Sequence, residues 1–430
     1  MRTAGIIMEC NPFHKGHEYI IKTAMEIAEG GPVIVVMSGD FVQRGIPAVI
    51  PKEKRARQVL NAGADLVLEL PVCAATAGAE RFARGAVTLL ARTGVVTDLV
   101  FGSESTDTEY LIRCADFLLR EPEAFRLLLK EKASSGLSYP AARAAAAAEC
   151  SDHIRLPKSA NDLLGTEYIK ILMELNRQDR TEREGSAAGS LAGADRLSDS
   201  TESEEVFAGT LPIRPHAVRR IAADSASALR ERMLEEGSGL SADDFSGLLL
   251  EKLLMIDRGY CRCTFTDYLD TGMELANRMH RLLPQFASWT QFCSLLKTRD
   301  ITYTAVSRAL THILLDITAD LSKPAEPLCA RVLGCRRKSL SLLKKVQERG
   351  LILITGHGDA VHRLPAGSSA VRSLQLDIGA SETWELVCRM KSRQKAVSNA
   401  DSRKEKGYSP SSSHLACEPI SDYARPFLIV

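Results

Sequence analysis

The stretch Cys10-Asn11-Pro12-Phe13-His14-Lys15-Gly16-His17 joins a short apolar run at 5–10 to an amphipathic segment at 16–29. Such a run reads as a buried strand and the segment after it as a helix, so the octet is a strand-to-helix junction. His14 and His17 are three residues apart and share one face of the first helical turn. Gly16 omits a Cβ where a ligand can approach the backbone. A helix start adds N–H donors and a partial positive charge. Two imidazoles on such a start suit a triphosphate losing pyrophosphate, because charge develops on the α-phosphate oxygens and on the leaving group. His-x-x-His alone is common on surfaces; the whole string at this junction carries the weight.

The alternation continues outward. Apolar runs at 32–38, 65–70 and 96–101 alternate with helix-like segments at 52–62 and 79–92. That pattern predicts βαβ units, an α/β fold with a Rossmann-like parallel sheet covered on both faces. Its connections are right-handed, and ligands bind beyond the carboxyl ends of its strands. The rule points to residues 11–17, 39–45, 71–77 and 102–105. Other phosphate sites are excluded: the sequence has no Gly-Lys dipeptide for a Walker A loop and no G-x-G-x-x-G. Zinc is disfavoured, since no third ligand stands at suitable spacing and His-Glu-x-x-His is absent; no metal-ligating residue is expected.

At about 150 residues per domain, 430 residues suggest two or three domains. The 55 basic and 54 acidic residues leave a net charge of +1, so any nucleic-acid surface must be local. The 11 cysteines are scattered, with Cys261 and Cys263 the one close pair and no C-x-x-C, which fits reduced thiols in a cytoplasmic protein. No run approaches the roughly 18 apolar residues of a membrane span, and the start lacks a signal-peptide pattern. No membrane partner is expected.

Five segments follow. Residues 1–177 read as a nucleotide-binding domain, helical from 107 on. Residues 178–209 hold eight acidic residues, five Ser, four Gly and one aromatic, Phe207; they cannot bury much apolar area and predict a flexible insertion. Residues 210–235 return to complete the site. Residues 236–390 read as a mostly helical C-terminal region suited to tRNA, with helical patterning to about Thr318 and a mixed segment from Cys329 to about Val387, and 391–430 as a largely disordered polar tail with a short ordered end.

His14-Lys15-Gly16-His17 resembles the HxGH signature of the nucleotidylyltransferase and class I aminoacyl-tRNA synthetase superfamily. The blocks around it are similar to the bacterial tRNA(Met) cytidine acetate ligase family: 5–14, 37–45, 65–71, 101–104 and 161–168, then more loosely Lys297-Thr298-Arg299, Tyr303-Thr304, Arg308 and 330–334. The resemblance spans most of the chain apart from 178–209 and the tail. It implies the HIGH nucleotidylyltransferase type of sheet and an ATP-dependent ligase. Such a ligase makes acetyl-adenylate from acetate, then acetylates N4 of the wobble cytidine of elongator tRNA(Met) to N4-acetylcytidine. Acetyl-CoA and DNA have no part in it, and Mg²⁺ accompanies the triphosphate.

By position the resemblance puts ATP contacts on Ile7, Met8, Glu9, Cys10, Asn11, Pro12, Phe13, His14, Lys15, Gly16, His17, Glu18, Tyr19 and Ile20. Gly102, Asn161, Arg220 and Ile221 complete the set, with His14 and His17 catalytic. Gly102 offers bare backbone, Asn161 a donor and an acceptor, Arg220 a bidentate phosphate clamp. Asn161 also suits a helix N-cap, and Arg219 with Arg220 a solvated pair. Ser225-Ala226-Ser227-Ala228-Leu229-Arg230 resembles the second superfamily motif.

Some positions depart from the family. Cys10 replaces a usual aromatic, a loop after Ile221 is shortened, and Asp300 and Ala305 stand where basic residues are usual. Candidate tRNA contacts are Lys297, Arg299 and Arg308, and the basic run containing Arg331, Arg336, Arg337, Lys338, Lys344, Lys345 and Arg349, opposed only by Glu348. Phosphate neutralisation by such cations supplies much of RNA affinity, although charge runs are often simply solvated. Two alternatives stay open: a nucleotidylyltransferase acting on a small molecule, and a non-catalytic RNA-binding relative.

Overall fold

The computed structural model describes residues 1–137, 139–151, 153–188, 213–221, 226–323, 329–356, 363–404 and 427–430. The expected strand–helix alternation is present: β1 (Ala4–Met8), α1 (Lys15–Ile27), β2 (Val33–Ser38), a hairpin β3 (Phe41–Val42) and β4 (Ile46–Pro47), α2 (Lys52–Asn61), β5 (Leu66–Leu70), α3 (Val72–Ala75), α4 (Ala79–Arg92) and β6 (Asp98–Ser103). Helices α5 (Thr108–Arg120), α6 (Glu123–Ser134), α7 (Tyr139–Cys150) and α8 (Ala160–Ala188) follow, then β7 (Arg214–Arg219). β1, β2, β5, β6 and β7 are parallel to their neighbours among them, in the order β5-β2-β1-β6-β7. The chain leaves β1 toward β2 on one side and returns to β6 on the other, so the switch point of the sheet lies between β1 and β6.

Both faces of the sheet are buried, as the continuous apolar runs require. On β2, Ile34 and Val36 pack with α4 and α8 residues such as Phe82 and Ile169. Val33, Val35 and Met37 face the other way, onto Ile21 and Ala24 of α1 and Val59 of α2.

After α9 (Ala226–Glu235), which buries no residue, the helices α10 (Ser246–Asp257), α11 (Met273–Leu282), α12 (Trp289–Leu296) and α13 (Tyr303–Leu314) gather around a core containing Trp289, Phe292 and Leu310. Residues 236–390 are not helical throughout. β8 (Cys329–Cys335) runs antiparallel to β5 and extends the first sheet, carrying β9 (Ile352–Ile354) and β10 (Leu428–Ile429) on it, with α14 (Leu340–Glu348) between β8 and β9. A last helix, α15 (Ser369–Lys404), packs Ala380 and Trp384 into the helical core.

Two expected boundaries shift. Residues 178–188, assigned to a flexible insertion, continue α8, and 391–404, assigned to the tail, continue α15. Both are polar stretches of helix-forming residues extending a helix anchored by packing at its other end. The rest of the insertion at 189–209, the shortened loop at 222–225 and the tail at 405–426 lie outside the described residues. No helix among the described residues is long and apolar enough to cross a membrane.

Candidate active site

The octet forms a capping box built of histidines. His14 is the N-cap of α1, and His17 is its third residue. The Gly16 amide donates to His14 Nδ1 at 3.0 Å, and the His14 amide donates to His17 Nδ1 at 3.2 Å. Ser/Thr and Glu usually fill these roles. The imidazoles stack with centroids 3.8 Å apart. Because each Nδ1 accepts, each neutral ring carries its proton on Nε2. Burial lowers the pKa of His14, and Arg220 and Arg230 add to that; burial, His14 and Arg220 lower His17 to about 3. Both rings are therefore neutral Nε2–H donors near pH 7. The amides of the first turn are partly consumed by the caps, since His17 N–H also donates to His14 O at 2.9 Å. The imidazoles, more than the helix amides, are left to meet a ligand.

A Cβ on Gly16 would lie 2.8 Å from His14 Cε1 and 3.0 Å from Nδ1, so glycine is required by the cap itself. Cys10, at φ +51, is buried, and its Sγ lies 3.7 Å from Met8 Sδ; burial pushes its thiol to about 12. Asn11 Oδ1 accepts from Val49 N at 2.8 Å. Buried Arg55 donates to the carbonyls of Glu9, Ser38, Gly39 and Ile50, tying together the carboxyl ends of β1 and β2.

The two histidines line a cavity of about 290 Å³ at the switch point, where the strand-end rule pointed. Of the expected ATP contacts, Ile7, Met8, Glu9, His14, Gly16, His17, Tyr19, Ile20, Gly102, Asn161, Arg220 and Ile221 line it; Cys10, Asn11, Pro12, Phe13, Lys15 and Glu18 do not. Cys10 to Phe13 shape the turn, whereas Lys15 and Glu18 face away on α1, where Glu18 pairs with Lys22 at 2.6 Å.

Asn161 is the second residue of α8, not its N-cap, and its Nδ2 donates to Glu104 Oε1 at 2.5 Å. Glu104 also holds Arg220 at 3.2 Å. Asp162 knots the turn after β6, accepting from Ser103 Oγ at 2.5 Å and from the amides of Glu104 and Ser105. Arg230 of α9 reaches back to Asn11 O at 2.6 Å; Ser225 of that motif lies outside the described residues.

The residue-level reading missed Gln43, Arg44, Phe82, Phe101, Ala160, Leu164 and Tyr168, which also line the cavity. Gln43 and Arg44 sit in the 39–45 stretch that the strand-end rule had indicated. They are held by the helical part. Gly45, at φ +66, lies so close to α13 that a Cβ would stand 2.4 Å from Arg308 N. Its carbonyl accepts from Ser307 Oγ at 2.6 Å and Thr311 Oγ1 at 2.8 Å.

The structure divides the candidate RNA contacts. Arg308 lies largely buried with Nε 3.5 Å from Asp270, and Arg331 is tucked 3.8 Å from buried Glu69; both serve internal ion pairs. Lys297 and Arg299 are exposed, with Arg299 3.5 Å from Asp300. Arg336, Arg337 and Lys338 follow β8, whose end pairs with the start of β5; the Arg336 amide donates to Asp65 O, and Lys338 lies 3.6 Å from Asp65. The cluster is thus at the sheet end opposite the cavity, about 17 Å away along a five-residue strand at ~3.3 Å per residue.

Residues 1–399 match the HIGH Nucleotidyl Transferase family. A tRNA(Met) cytidine acetate ligase of Acetivibrio thermocellus is 33% identical over 375 residues, spanning 82% of this chain and 87% of that one. The chain belongs to the tRNA(Met) cytidine acetate ligase family. The ligase of Caldanaerobacter subterraneus subsp. tengcongensis is also 33% identical, over 361 residues, 81% of this chain and 87% of its own. Among solved structures, Thermotoga maritima TmcAL bound with alpha-thio ATP matches with a TM-score of 0.74 at 27% identity, over 90% of this chain and 95% of that one. Membership makes this protein an ATP-dependent ligase.

Proposed function

We propose that the protein condenses acetate with ATP to acetyl-adenylate and pyrophosphate, then transfers the acetyl group to N4 of the wobble cytidine of elongator tRNA(Met). The observation that carries this reading is the pair of neutral, stacked imidazoles with Nε2–H donors in the cavity at the switch point. An acetate oxygen attacks the α-phosphorus in line, and His14 and His17 stabilise charge on the phosphates. Asn161, held by Glu104, offers a donor and an acceptor to the nucleoside. Arg220 exchanges Glu104 for phosphate. The acetyl donor is the mixed anhydride, so acetyl-CoA is not needed.

Among the described residues, no group of three or more His, Cys, Asp or Glu is arranged to hold a metal ion. Mg²⁺ would arrive on the phosphate oxygens of ATP. For tRNA, Arg44 at the cavity and exposed Lys297 and Arg299 are the cations we assign first; Arg336, Arg337 and Lys338 reach only a ligand that extends past the sheet. The family's tRNA chemistry fits the cytoplasm.

The test is incubation with labelled acetate, ATP and total tRNA. Label in tRNA(Met) is expected. Adenylyl transfer to a small molecule without labelled RNA would favour a small-molecule nucleotidylyltransferase, and absence of both activities a non-catalytic relative.

A further inference from the structure

Acetyl transfer needs a proton acceptor. The cytidine amine gains a positive charge as N4 attacks, and that proton must leave as the amide forms. The two histidines do not qualify. Their Nδ1 atoms are taken by the Gly16 and His14 amides, and their Nε2 atoms already carry hydrogen. Among the described residues lining the cavity, one carboxylate remains, Glu9. It follows the last residue of β1 and stands five residues before His14. Its Oε1 is fixed by the Gln43 amide at 2.6 Å, and its Oε2 makes no hydrogen bond among the described residues.

We propose that Glu9 is the general base of the acetyl-transfer half-reaction, a role that rests on the ligase reading above. N4 attacks the acetyl carbonyl carbon, and a C–N bond forms. The bond from that carbon to the phosphate oxygen breaks, and AMP leaves with its electron pair. The N4 proton passes to Glu9 Oε2 and from there to water. No oxidant or further reactant enters. The first half-reaction moves no proton, since acetate attacks as the anion and pyrophosphate leaves as one. Glu9 is therefore a specialist for the second.

The surroundings strengthen Glu9 as a base. Burial raises the Glu9 pKa, while the Gln43 amide, Arg44 of the hairpin, Arg230 of α9 and Arg55 of α2 oppose that rise. Tyr168 of α8 and the Cys10 thiol are the other titratable groups beside it, and burial holds both in their protonated, neutral forms. A carboxyl whose pKa is raised accepts a proton with more driving force than an ordinary one.

The discriminating variant is Glu9→Gln, which keeps shape and the acceptor for the Gln43 amide. Two rates are measured on the full chain: acetate-dependent exchange of pyrophosphate into ATP, and single-turnover acetyl transfer to tRNA. Transfer is expected to fall at least about 10²-fold, the usual yield of general-base catalysis, and at least tenfold more than exchange. In the wild type, transfer should rise with pH and level off; in Glu9→Gln that rise should vanish. Equal losses in both rates would mean a structural or nucleotide-binding role and overturn the proposal, as would unimpaired transfer. Wild-type protein without exchange would instead refute the ligase reading itself.

Discussion

The histidine box gives His17 two separable jobs, and two substitutions divide them. Nδ1 accepts the His14 amide at 3.2 Å and closes the cap; Nε2–H faces the cavity. In Asn, Oδ1 stands where Nδ1 stood, so His17→Asn keeps the cap acceptor and loses the distal donor. In Gln, the amide nitrogen reaches the Nε2 position, so His17→Gln keeps a distal donor and loses the cap. Both lose the 3.8 Å stack on His14, so packing cancels in the comparison. Losing a cap costs about 1 kcal/mol, or roughly 2–4 °C in a large domain. Losing a preorganised donor to a developing oxyanion costs about 10²–10³ in rate, roughly 2.7–4 kcal/mol. His17→Asn should therefore melt near wild type and be nearly inactive in acetate-dependent pyrophosphate exchange. His17→Gln should melt lower yet exchange at least about tenfold faster than His17→Asn. Exchange measured alongside calorimetry tests this. If the Asn variant exchanges as well as the Gln variant, the distal N–H is not what stabilises the phosphates, and the reasoning fails.

Gly16→Ala should displace the His14 ring, because its new Cβ would lie 2.8 Å from Cε1; exchange should drop at least about tenfold for one lost donor, and wild-type exchange would refute the steric account. Lys52, fully buried, contacts Glu69 at 2.8 Å and Ser381 Oγ at 2.6 Å. Lys52→Met removes the nearer of the two cations at buried Glu69, leaving Arg331 at 3.8 Å, and should cost about 3–5 kcal/mol in urea unfolding; a loss below about 1 kcal/mol would show that the pair does not matter. The lowered His17 pKa contributes stability that is fully present above pH 6.5 and is lost as pH falls toward about 3, because the unfolded chain binds that proton first. His17→Asn should therefore flatten the acid limb of stability against pH between 6.5 and 3; an unchanged limb would place the acid-sensitive group elsewhere. Arg337→Glu with Lys338→Glu should change tRNA affinity less than Arg44→Glu, read by filter binding at fixed salt; the reverse order would return the RNA to the far end of the sheet.

Much of the nucleotide half was legible from local pattern. β2 and β5 are buried on both faces, so their apolar runs are continuous, and α1 and α4 carry clear amphipathic stripes. The octet was legible because a capping box is made of residues three apart. The β3–β4 hairpin escaped, since two strands of two residues leave no periodicity to read. Gln43 and Arg44 were reachable only through the rule that ligands lie at strand ends.

What the sequence determined by itself is therefore local: the strand–helix alternation, the histidine cap with its obligatory glycine, and the family they resemble. Tertiary structure alone decided the fate of the charges. Arg308 and Arg331 look in the sequence like surface cations, yet each finds a carboxylate distant in the chain, Asp270 and Glu69. β8 joins β5 from more than 250 residues later, and its antiparallel direction sends Arg336 to Lys338 to the end away from the cavity. Burial of a cation depends on where its counter-charge lies in space. Strand direction depends on a ladder between distant segments. Neither is written in the spacing of neighbouring residues.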